Sequence, residues 1–424
     1  MVAFSFIPIP ALASAPEDPV IEDKDFVVQK YMTGICCSPV TIGWVNNGTD
    51  MIILQRDTGD VHYARNGVFR PEPVTSETIT NVGEQGMLTI ATKQNKVYLY
   101  FTEADAYRGH ALGKRVYSYD WDEAEGKLVN KTLIKDMPQT QTYHNGGEMT
   151  FDKNGTLYII VGDAGRADKL ENFANGEPDD TAVVQQLVPP GPYYAMGIRN
   201  SFGLTTDPVT GSLWDTENGE TCCDEVNIVT PKFNSGWETI MGPANSTHNR
   251  NHQPLTQLPT YLDYKYHDPQ FTWETCVAPT GLAFPVSAPF AKYNNSLFVG
   301  DFNNGNLYRF ELNSRRDGFD FHSPQLNDSI ANTGESMDEI IFGKGFGNIS
   351  DVKMGPDGYL YLVSFNEGNI YRIVPAGIAL QNTIHADPPL DPIYIIVALL
   401  GAGGALAATG VLRTRLNTGR KRIG

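Results

Sequence analysis

Apolar residues in this chain come in short, strand-length runs bounded by Gly, Asp and Asn, and the pattern recurs at intervals of some tens of residues. The first copy is Met51–Ile52–Ile53–Leu54 followed by Gly59–Asp60–Val61–His62–Tyr63. Val97–Tyr98–Leu99–Tyr100 with Lys114–Arg115–Val116–Tyr117 comes next, then Gly155–Thr156–Leu157–Tyr158, then Gly211–Ser212–Leu213–Trp214 with Glu225–Val226–Asn227–Ile228. Ser296–Leu297–Phe298–Val299 with Gly305–Asn306–Leu307–Tyr308–Arg309 and Tyr359–Leu360–Tyr361–Leu362 with Gly368–Asn369–Ile370–Tyr371–Arg372 are nearly superimposable. Strands of this length, separated by turn residues and repeated six times, predict an all-β chain folded as a six-bladed β-propeller of four-stranded antiparallel blades. A ring of that kind places its chemistry at one mouth of the central channel.

The 424 residues fit one large radial domain as well as several small ones, because blades share their core. A hydrophobic content of 41% is ample for that core and excludes wholesale disorder. The net charge of −17, with no basic stripe across the repeats, disfavours a nucleic-acid partner.

The ends carry a location. Residues 1–26 form a signal-like segment and linker, apolar up to Ala13–Ser14–Ala15. The propeller is expected over 27–375 and a linker over 376–391. No charge falls in 392–412, long enough as a helix to cross roughly 30 Å of hydrocarbon. A basic tail with Arg413, Arg415, Arg420, Lys421 and Arg422 fills 413–424. The positive-inside rule then places the tail in the cytoplasm and the propeller on the outer side of a single-pass cell-membrane anchor. Five cysteines (Cys36, Cys37, Cys222, Cys223, Cys276) lack zinc spacing and allow at most two disulfides, and seven Asn-x-Ser/Thr sequons suit an external protein.

Polar insertions between the repeats supply the candidate chemistry. They are Gly83–Glu84–Gln85–Gly86, Tyr143–His144–Asn145–Gly146–Gly147–Glu148, Gly162–Asp163–Ala164–Gly165–Arg166, Gly197–Ile198–Arg199–Asn200, and Glu217–Asn218–Gly219–Glu220 running to Asp224–Glu225–Val226–Asn227. An imidazole takes a hydroxyl proton near neutral pH without a large shift, which suits His144 to general-base work. A guanidinium such as Arg199 suits a carboxylate or quinone oxygen. A glycine turn followed by Asp224 and Glu225 offers the mixed carbonyl and carboxylate oxygens that Ca²⁺ prefers.

In this order the motifs, with Val277–Ala278–Pro279–Thr280–Gly281 and Asp351–Val352–Lys353–Met354–Gly355–Pro356–Asp357–Gly358, resemble the soluble PQQ-dependent glucose/sorbosone (aldose sugar) dehydrogenase family. The resemblance implies an oxidoreductase that moves hydride from a sugar CH–OH to a quinone cofactor. It makes His144 the base and Gln85 the substrate contact, with Arg199, Asn200 and Asp163 on the PQQ. It places the Gly219 and Glu220 carbonyls on a Ca²⁺, with Asp224 and Glu225 at a neighbouring site or bracing the loop. A membrane quinone or a redox protein would take the electrons.

The chain departs from the family where a Lys and two Arg residues are expected on the cofactor. Asn303, Asn348 and Ser350 stand there, and Glu148 stands where Arg is frequent. Each lost charge-assisted hydrogen bond removes roughly 1.5–3 kcal/mol of grip on a tricarboxylate. Lys344 and Lys353 lie nearby in sequence. Those losses favour an alternative, a cofactor-free propeller that binds carbohydrate or protein at the cell surface. Hydrolysis at the same mouth is a third reading, since propellers host unrelated chemistries. The segment Lys169–Gln186 is expected as a loop over one mouth.

Overall fold

The structure, a computed structural model, describes residues 18–138, 140–165, 178–221, 223–244, 254–259, 262–377 and 384–385. The first 17 residues, nearly all of the 376–391 linker, the apolar 392–412 segment and the basic tail lie outside the described residues, as does Arg166. Among the described residues no helix is long and apolar enough to cross a membrane.

The chain is an all-β propeller. Its strands form six sheets, which begin in chain order with Pro39–Val45, Met87–Lys93, Glu148–Phe151, Gly203–Thr206, Pro279–Ala283 and Ile349–Met354. These first strands are neighbours in cyclic order, the last returning to the first, and they line the central channel. Most repeats are apolar on both strand faces because each sheet is packed between two others. In Asp50–Gln55, Ile52 and Leu54 pack with Ile90 and Leu99 of the second sheet, while Met51 and Ile53 pack with Tyr361 and Ile370 of the sixth. Equivalent apolar layers lie between the remaining pairs of neighbouring sheets.

The ring is closed by a strand from the other end of the chain. Phe26–Thr33 pairs antiparallel with Asn369–Pro375, from Phe26 opposite Pro375 to Met32 opposite Ile370. The first two sheets have the expected four strands, whereas the other four gain short additional ones, mostly from the long connections. Val183–Gln186, expected within a loop, is instead part of the strand Val183–Val188, held against Leu157–Val161. Cys36 and Cys37 form a disulfide.

Where the channel narrows, four sheets meet in one polar knot. Lys353 Nζ lies 3.3 Å from Glu148 Oε1 and 3.4 Å from Asp351 Oδ2, and donates to Thr41 Oγ1 at 3.0 Å. Thr41 donates to Asp351 at 2.6 Å and Thr89 to Glu148 at 2.9 Å. Lys353 thus points inward, but its charge is taken up by two carboxylates. Burial pushes the Glu148 carboxyl up to about 7, with Lys353 opposing and Asp351 adding to the shift. Between the unfolded value near 4.5 and about 7 the native state keeps a proton that the unfolded chain has released, so stability falls as pH rises through that window. Thermal melts should therefore give a higher midpoint at pH 5 than at pH 8, and Glu148→Gln should shrink the difference. A slope unchanged in that variant would remove Glu148 as a cause.

Candidate functional site

Above this knot, at the mouth reached by the starts of the first strands, lies a cavity of about 460 Å³. Glu84, His144, Arg199, Asn200, Asn218, Gly219 and Ser350 provide its polar lining, and Phe202, Phe302 and Phe365 give aromatic walls. His144, Arg199, Asn200 and Gly219, far apart in sequence, are brought together as expected from the motif series.

His144 is built in by strain and by hydrogen bonds. Its φ is +53°, uncommon for a residue with a Cβ. The two glycines after it do not face the cavity. A Cβ on Gly146 would come within 2.8 Å of Gly162 N, and one on Gly147 within 2.4 Å of the Tyr100 ring, so both permit close packing behind the histidine. Imidazole Nδ1 lies 2.7 Å from Asp163 Oδ1, and Nε2 lies 3.1 Å from Arg199 Nη2. Asp163 can only accept and Arg199 can only donate, so the network assigns the proton to Nδ1 and makes Nε2 the acceptor of the Arg199 hydrogen. Asp163 is fixed in turn by Trp237 Nε1 at 2.7 Å and Gly165 N at 2.7 Å.

Arg199, nearly buried, donates through Nη1 to the carbonyls of Asn218 and Gly219 at 2.8 and 2.9 Å. Its backbone N–H is held by Glu217 at 2.6 Å, and its guanidinium lies 5.1 Å from the Trp237 ring. Asn200 accepts from Gly146 N at 3.1 Å and donates to Glu84 at 3.2 Å. Burial raises the Glu217 carboxyl to about 7 against the pull of Ser235 and the Arg199 amide.

Three sequence assignments move. Gln85 does not line the cavity: it is buried, and its amide donates to the Thr140 and Gln141 carbonyls at 2.9 and 3.2 Å. The tight turn in which Gln85 N bonds Val82 O turns Glu84, one residue earlier, into the mouth. Asp163 orients His144 rather than touching the cavity. The calcium set is not assembled as expected. Gly219 O, one of the two expected carbonyl ligands, accepts from the Arg199 guanidinium. Asp224 is consumed by the Gly219, Val277 and Ala278 amides at 2.7–2.8 Å, bracing the loop, with burial raising its carboxyl to about 6. Glu225 is buried and accepts from Gly242 N at 2.6 Å. Among the described residues no group of three or more His, Cys, Asp or Glu side chains is placed to hold a metal ion.

The neutral positions are equally clear. Asn303 donates to Cys276 O at 3.2 Å and Asn348 to Phe302 O at 2.7 Å, and Ser350 presents only a hydroxyl to the cavity. Arg56, in none of the candidate motifs, lines the same mouth.

The chain belongs to the Glucose / Sorbosone dehydrogenase family, whose model matches residues 37–372. It is 26% identical over 314 residues to the aldose sugar dehydrogenase of Escherichia coli (strain K12), covering 69% of this chain and 78% of that protein. It is 21% identical to quinoprotein glucose dehydrogenase B of Acinetobacter calcoaceticus, covering 68% of this chain and 75% of that one. The PQQ-bound aldose sugar dehydrogenase of Streptomyces coelicolor shares the fold at a TM-score of 0.61 and 20% identity, covering 84% of this chain and 99% of that one.

Proposed function

We propose that this protein is a membrane-anchored, outward-facing sugar dehydrogenase, a ring of six blades whose single reactive mouth is the cavity at His144. The observation that carries the reading is the His144 imidazole on the cavity lining, held in one tautomer by buried Asp163 with its acceptor nitrogen against the Arg199 guanidinium. In that role a sugar hydroxyl takes the place of the Arg199 donor at Nε2, which receives the hydroxyl proton as the hydride departs from the same carbon, and Asp163 stabilises the imidazolium that forms. Glu84, set beside Asn200, replaces Gln85 as the candidate sugar contact, accepting hydrogen bonds from ring hydroxyls. Arg199 holds the Asn218–Gly219 loop against the cavity and, with Asn200, forms its polar edge.

Aromatic walls and a polar edge suit a flat quinone, so Asn200, Asn218 and the second Nη2 hydrogen of Arg199 would hold PQQ, which supplies the two-electron acceptor when bound. Electrons would then pass to a membrane quinone or an external redox protein that the tether keeps close.

The test is dye reduction by the purified protein with PQQ and a panel of aldoses, with and without Ca²⁺. Aldose-dependent reduction with one lactone formed per two electrons is expected. PQQ binding without any sugar oxidation would remove the activity. The neutral Asn303, Asn348 and Ser350 favour a second reading, a carbohydrate- or protein-binding propeller without cofactor, and absence of PQQ binding together with retained ligand binding would select it.

A further inference from the structure

The first residue after the second strand of a sheet is directed at the same mouth in three successive sheets of the ring. These residues are Phe302 in the fifth, Phe365 in the sixth and Arg56 in the first. They form one continuous wall. The Phe302 and Phe365 rings lie 5.7 Å apart, and the Arg56 guanidinium lies 5.8 Å from the Phe365 ring. This is the wall on which Asn303, Asn348 and Ser350 leave no cation.

Among the described residues Arg56 and Arg199 are the two arginines that line the cavity, and they are engaged differently. Both Nη1 hydrogens of Arg199 are given to loop carbonyls, and Nη2 faces His144. Arg56 gives Nη2 to the carbonyls of Asn81 and Gly83 and Nη1 to Asp57. Three of its five N–H groups are occupied in this way. Nε–H and the second Nη1 hydrogen remain, on different edges of the guanidinium, so the carboxylate would take a single charge-assisted hydrogen bond from Arg56. A flat acid stacked along the phenylalanines would bring a carboxylate to the end of that wall.

Resting on the dehydrogenase reading above, we propose that Arg56 is the anion anchor of the cavity. It grips one carboxylate of the flat cofactor beside the Phe365 ring and takes over part of the role left vacant at Asn303, Asn348 and Ser350. The Arg56 side chain is largely shielded by its neighbours, 16% of it being exposed, so a carboxylate there is bound in a site partly screened from water.

The experiment is a fluorescence titration of the full chain and of Arg56→Gln and Arg56→Lys with free PQQ and with its trimethyl ester, which keeps the ring but loses the charges. The native protein should prefer the free acid. Arg56→Gln should weaken the free acid by about 10- to 100-fold, the loss of a single charge-assisted hydrogen bond, while changing the ester little, and Arg56→Lys should recover part of the loss. Equal weakening of acid and ester would show that Arg56 only holds the Gly83–Glu84 turn, and no weakening of either would also overturn the proposal. If the native protein binds neither compound, it is the dehydrogenase reading that fails.

Discussion

His144→Asn is expected to lower the rate of sugar oxidation by about 10²–10⁴-fold, the span of general-base contributions, with PQQ affinity and melting temperature nearly unchanged. Asparagine is the informative replacement because it tolerates the left-handed backbone at this position, where φ is +53°. Alanine would mix backbone strain with lost chemistry. Asp163→Asn should reduce the rate less. It leaves a hydrogen bond to Nδ1 but no negative charge for the imidazolium, and an amide oriented the other way would reverse the tautomer. Steady-state kinetics with a reconstituted protein separate the cases: a fall in kcat at constant KM for both variants supports the pairing. Wild-type turnover in His144→Asn would remove the histidine from the mechanism.

The second large effect is on stability. Lys353→Met should destabilise the fold by about 3 kcal/mol, the lower end of the cost of breaking a buried ion pair. The lower end applies because 22% of the lysine side chain remains open to the channel, whereas Glu148 and Asp351 are buried at 9% and 4%. Both carboxylates would be left facing each other across the ring without a cation. The Lys353→Met/Glu148→Gln double variant should recover part of the loss, because one of the two charges is gone, and urea unfolding of the four-member cycle measures that coupling. Additive losses would show that Lys353 and Glu148 act independently.

The repeat was readable because each blade is nearly the same local problem solved again: an apolar run, a turn, and a second run with both faces buried. Ring closure was not. Phe26–Thr33 pairs with a strand some 340 positions away, and only every third of its residues is buried, so nothing local identifies its partner. The site was legible where the motif itself makes the geometry, as for His144, Arg199 and Asn200. It was misread at Gln85 because a tight turn decides which of two adjacent polar residues faces the mouth, and no periodicity crosses that turn. Arg56 was invisible for another reason: it stands in an ordinary turn, and its relation to Phe302 and Phe365 exists only once three sheets are placed side by side. The inward course of Lys353 likewise depends on its carboxylate partners from the third and sixth sheets.

The most direct measurement is a crystal structure of the protein soaked with PQQ and an unreactive sugar analogue. The expected map shows the quinone between the Phe302–Phe365 wall and the Arg199–Asn200 edge, with a sugar hydroxyl on His144 Nε2. Density for both ligands elsewhere on the molecule, with the His144 cavity holding only water, would contradict the account.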